Sequence, residues 1–294
     1  GHGTPDMKIQ EILASAVLEL GILSASTTAL AQSAIPQSRT WNFKEIIADG
    51  EYSAPPFLNI VQGRGGLVYV SDSVGVLEFD GIRWRRLPLP DARVVTALGI
   101  TDDGEIIVGA SESLLAVSGE GHAVRIKDLK SEVPGGLTGI GEIWDFASGK
   151  DQWCVRSAPK LLCKDARGMF VVPAEKRFGR LFSVHGELYV REHHSGLKHV
   201  SRRGLTRVEG GELYADKPLA ALIPHGDRGL VGISSDPLQT ATWADPDHVP
   251  IIRMVGGAEL SNRDPGVPRA VPSGGVGFPF MNGDLLIFGE TWKE

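Results

Sequence analysis

Two cysteines, a histidine pair and a scatter of carboxylates are the residues whose types suit chemistry. Cys154 and Cys163 flank Ala158-Pro159, each four to five residues from that centre. If a tight turn falls there, the two sit directly opposite in a hairpin, with Cβ atoms about 4.5–5.5 Å apart. That is within reach of a disulfide, which an oxidising compartment would keep; the other reading is two buried thiols packed as small apolar residues. His193-His194 offers an imidazole as general base. Neighbours in an extended chain point to opposite sides, so a surface loop suits the pair better than a strand. Asn59, Glu142 and Asp145 are oxygen donors of the kind that Ca²⁺ collects six to eight of. An ion there would polarise an ester carbonyl and activate water, with His193 taking the proton. Asp72, Glu112, Arg156, His194 and Asp236 are candidates for holding a small-molecule ligand or a partner protein. None of these carboxylates has the fixed spacing of a calcium loop, and such residues commonly cap turns.

No G-x-S-x-G elbow, H-E-x-x-H zinc helix or G-x-x-x-x-G-K-[ST] loop occurs. Gly135-Gly136 to Gly141 is glycine-rich, but no helix pattern follows it, so it reads as a linker and not as a phosphate loop. Hydrophobic residues make up 42% and charged residues 22%, which places the chain among folded globular proteins. The net charge is −6, without a basic patch or interleaved aromatics, and this argues against nucleic acid as a partner. No run of 18 uncharged apolar residues is present, so no membrane span is expected.

The elements that must position these residues repeat. Gly63–Gly66, Asp102–Gly104, Gly149–Asp151, His185-Gly186, His225–Asp227 and Asn282–Asp284 form one series of turns. Asp80-Gly81, Gly119–Gly121, Asp165–Gly168, Arg202–Gly204 and Asp245–Asp247 form a second series. Such residues tolerate the positive φ of tight hairpins. Short β-rich strands lie between the turns, and equivalent positions recur about every 35–47 residues, the size of one propeller blade. The expected fold is therefore all-β: a β-propeller of four-stranded blades, five complete plus a partial sixth, over 41–294. Its inner strands are expected to be uniformly apolar and its outer strands amphipathic. An N-terminal strand around Trp41–Ile47 would pair with the last blade and hide its edge; otherwise the chain is a piece of a longer protein. Trp84, Trp144, Trp153 and Trp243 read as core or inter-blade packing. The candidate polar residues fall in loops joining second to third strands, in blade-to-blade connections, or near the starts of first strands, which surround the mouth of a central channel.

Gly66-Leu67-Val68-Tyr69-Val70, then Gly75–Gly81 and Trp84, together with Asp102–Ala110, resemble the sensor propellers of bacterial two-component regulators. Propellers of this kind also stand at the N-terminus of membrane-bound histidine kinases, diguanylate cyclases and triple-tyrosine regulators. The resemblance extends in layout over Pro56–Glu290. It implies a periplasmic domain that reads a ligand or partner and reports to an output domain across a membrane, with no catalysis and no cofactor. This sequence would be the sensor part. Residues 1–40 read as a tag, a degenerate signal or a short helix. Lys8, an apolar stretch and Ala29-Leu30-Ala31 suit an export signal; Ile9, Ile12, Leu13, Ala16, Val17, Leu20 and Leu23 suit an amphipathic helix. A periplasmic or secreted location follows from the first reading. The competing function is a Ca²⁺-dependent propeller hydrolase acting on lactones or esters. An interaction scaffold is a third class that the fold would serve.

Overall fold

The computed structural model describes residues 58–90, 94–119, 123–235 and 238–254, together with the backbone of 269–271, 275–279 and 285–288. Five four-stranded antiparallel sheets follow one another. They are β1 (Asn59–Gln62) to β4 (Trp84–Arg86), β5 (Ala97–Ile100) to β8 (Arg125–Asp128), β9 (Ile143–Ser148) to β12 (Gly168–Pro173), β13 (Phe178–Val184) to β16 (Gly204–Arg207), and β17 (Leu219–His225) to β20 (Ile251–Met254). Three strands, β21 (Arg269–Val271), β22 (Gly275–Pro279) and β23 (Leu285–Phe288), make a sixth sheet. Each strand pairs with its neighbour in sequence. The predicted N-terminal segment, the Trp41–Ile47 strand and Asp236 lie outside the described residues.

Turn chemistry sets the hairpins. His185 and Gly186 both have positive φ, at 53° and 77°, between paired residues Val184 and Glu187. This is the two-residue geometry whose twist matches the flanking strands. Among the described residues, four apolar cores lie between successive blades. Val76, Leu98 and Val108 fill the first gap; Ile107, Leu114, Val155 and Leu162 the second; Leu161, Phe170, Leu188 and Val190 the third; Tyr189, Leu222, Leu230 and Trp243 the fourth. At Gly99 the ring of Phe146 comes so close that an added Cβ would overlap it, so the blade 2–3 gap depends on that missing side chain.

The first strand of each blade packs against the first strand of the next, from β1 through β5, β9 and β13 to β17, which puts these strands nearest the axis. β5 is uniformly apolar, as the sequence predicts, but β9 and β13 mix buried with partly exposed residues, while β3 (Val76–Phe79) and β6 (Ile106–Ala110) are buried throughout. The first strand is an edge of its sheet, whereas the second and third have a paired strand on either side.

Blades 3 and 4 are also fastened at the end opposite the candidate site. Arg202 donates two hydrogen bonds to Asp165, at 2.6 and 2.7 Å, and one to the Gly168 carbonyl, and its guanidinium lies 4.6 Å from the Phe170 ring centre. The Arg202 hydrogen bonds are the main reason that the Asp165 carboxyl is held down to about 2. A depressed carboxylate stabilises the fold above its unfolded value near 4 and loses that contribution as pH falls toward 2. Between pH 4.5 and 2.5 the parent is expected to lose about 1 kcal/mol more than Asp165→Asn, after discounting for solvent screening. Urea midpoints measured across that interval check this, and parallel acid profiles would refute it.

Candidate functional site: the loop face around the axis

The start of each first strand, the end of each second strand and the turn into each third strand lie together, because the pairing is antiparallel: Asn59 faces Ser71, Asp145 faces Arg156 and Phe178 faces Glu192. All the described candidate residues therefore gather at one face. What they do there differs from the expectation.

Asp72 is fully buried. Its Oδ1 accepts the Val74 and Gly75 amides at 2.8 and 2.7 Å, and Arg86 grips both carboxylate oxygens at 3.1 and 2.9 Å. It closes the turn between β2 (Val68–Ser71) and β3 (Val76–Phe79) and is spent on that turn and on Arg86. Asn59 Nδ2 donates to Ser71 Oγ and to the Thr96 carbonyl in blade 2, while Thr96 Oγ1 donates to the Ile143 carbonyl in blade 3 at 2.6 Å. Asp145 and Arg156 do come together, at 2.6 Å, but as an ion pair, and Asp145 Oδ2 also accepts the Leu181 amide of blade 4. Glu112 receives the Gly139 amide at 2.8 Å and donates its own amide to Gly141, pinning the glycine-rich linker. Glu142 is exposed.

The histidine pair lies in the turn between β14 (Glu187–Glu192) and β15 (Gly196–Ser201). Arg191 Nη1 donates to His193 Nε2 at 3.0 Å, so the neutral ring carries its proton on Nδ1 and the Nε2 lone pair is engaged. Burial, then the nearby Arg191 and Arg177 charges, hold the His193 imidazole below its ordinary value. His194 is outermost and pairs with Asp216 at 2.6 Å, both largely exposed. Arg191 spans onward to the Tyr214 and Ala215 carbonyls before blade 5.

Of the residues expected to hold calcium, Asn59 and Asp145 are engaged within the protein. Asn59 presents its amide N–H groups to protein carbonyl and hydroxyl oxygens, Asp145 is neutralised by Arg156, and no group of three or more His, Cys, Asp or Glu suited to a metal ion occurs among the described residues. Cys154 faces Cys163 across β10 (Gln152–Ser157) and β11 (Lys160–Asp165), their sulfurs joined in a buried disulfide behind the Ala158-Pro159 turn. Trp153 and Trp243 are core residues, but Trp144 is 47% exposed. The reason is a β-bulge: Ile143 and Asp145 pair with Ser157 and Arg156, which leaves Trp144 unpaired. Bulges recur at the same end of β13 and β17. Sequence inspection missed Thr96, Arg191 and the bulges; only the polar interruption of apolar strands hinted at them.

These observations define the chain as a β-propeller. No family model matches the sequence, and no curated protein matches it. Solved structures share the fold. The extracellular domain of the putative hybrid two component system BT3049 from B. thetaiotaomicron is 13% identical with a TM-score of 0.57, over 81% of this chain and 34% of that one. Streptogramin B lyase is 10% identical with a TM-score of 0.57, over 81% and 84%. BBS1N, solved in complex with ARL6DN, is 12% identical with a TM-score of 0.59, over 85% and 83%. The chain spans about a third of the length of the bacterial sensor ectodomains that it matches. At these identities the likeness is one of fold.

Proposed function

We propose that this propeller is a non-catalytic binding domain, the extracytoplasmic sensor part of a bacterial signalling protein, which receives a ligand or partner on its loop face. The observation that carries the reading is the use of the polar residues on that face. Asp72, Asn59, Asp145, Arg156 and His193 are engaged in holding turns or neighbouring blades, which leaves no poised nucleophile, base or metal cage among them. The fold shared with sensor ectodomains supports the signalling role. The buried disulfide suits an exported domain. Purified protein is expected to hydrolyse lactone and ester substrates no faster than its His193→Ala variant, with or without Ca²⁺. Turnover that EDTA removes and Ca²⁺ restores would overturn the reading in favour of a hydrolase.

A further inference from the structure

Among the described residues, four large apolar side chains stand exposed on the loop face: Leu58 at 37%, Val74 at 38%, Val94 at 48% and Trp144 at 47%. They are not scattered. Each lies within two residues of one continuous set of inter-blade hydrogen bonds. Val95 donates to the Asp72 carbonyl beside Val74, Asn59 next to Leu58 donates to Thr96, and Thr96 donates to Ile143 next to Trp144. The four therefore form an arc across blades 1, 2 and 3. The first strands of neighbouring blades come within 8 Å of one another, so the arc is about 15 Å long, the reach of about five residues of extended chain.

Its far end carries two exposed carboxylates. Glu142 and Trp144 are exposed on either side of fully buried Ile143. Glu112 is exposed beside them, because its amide and carboxylate bind Gly141 and Gly139. An indole face next to two carboxylates attracts a cation on an alkyl stem, by cation–π attraction and by charge.

We propose that this arc docks a partner polypeptide segment in extended form, with apolar anchors along Leu58, Val74 and Val94 and a lysine or arginine placed over Trp144 between Glu112 and Glu142. The proposal deepens the binding reading above and rests on it. The arc is too long for a small ammonium compound to cover, which favours a polypeptide.

The test follows the indole N–H resonance of Trp144 in ¹⁵N-labelled protein, assigned with Trp144→Phe. A capped hexapeptide alternating leucine and lysine is titrated in. The resonance is expected to move to saturation, and Glu112→Gln combined with Glu142→Gln to weaken the peptide about fivefold, an effect that fades in high salt. No movement, equal movement with a leucine–glutamate hexapeptide, or equal movement with butylammonium alone would each overturn the proposal. Catalytic turnover in the lactone assay would sink the non-catalytic reading and leave this result standing; an unmoved Trp144 resonance would do the reverse.

Discussion

Lys198→Met is expected to destabilise the propeller by about 3 kcal/mol, the effect of leaving a buried carboxylate without its counter-charge. Lys198 reaches Glu192 at 2.6 Å, and the Glu192 side chain is wholly enclosed. The same carboxylate accepts the amides of Glu175 at 2.5 Å and Lys176 at 3.3 Å, so it also fixes the crossing from blade 3 to blade 4. Those two amides survive the substitution, but the neutralising ammonium does not. A midpoint shift in urea and a fall in Tm of about 6–10 °C are expected. Adding Glu192→Gln to Lys198→Met is expected to recover much of the loss, since no buried charge is then left alone. A single variant as stable as the parent, or a double variant no better than the single, would show that the pair is not coupled in this way.

Replacing both cysteines by alanine is expected to cost about 2.5 kcal/mol. Cys154 and Cys163 are nine residues apart, and cross-linking a loop of that size restricts the unfolded chain by roughly this amount on the loop-entropy account. Both sulfurs are inaccessible, so native protein should resist reductant until it unfolds. Reduction and the double substitution should then give the same lowered urea midpoint. Two alkylatable thiols in denatured, unreduced, exported protein, or a double variant that unfolds with the parent, would contradict the expectation.

Much of the architecture was legible because hairpins advertise themselves locally. His185-Gly186 and Asp80-Gly81 mark turns through backbone conformations that few other residues accept. The third strand of blade 1, Val76–Phe79, ends directly before the Asp80-Gly81 turn. The register that sets Cys154 against Cys163 followed from the Ala158-Pro159 turn alone. The face on which the polar candidates gather was also legible, since strand direction follows from hairpin order. Their roles were not. Whether Asp72 binds a ligand or an arginine depends on Arg86, fourteen residues away on another strand. Likewise the Asn59–Thr96–Ile143 connection joins three blades. Side-chain commitments across blades leave no periodic trace. Trp144 was read as core because a tryptophan on a strand usually is; the bulge that turns it outward changes one pairing and no residue type.

The pairing of every strand with its sequence neighbour has a kinetic consequence. Each blade closes only short loops, so its hairpins can form on local search alone, without waiting for distant chain. During synthesis the blades can then accumulate in order from the N-terminal side. Each new one finds its predecessor already presenting the apolar face and the carbonyls it must meet. The slow events are left to the docking of one finished sheet on the next.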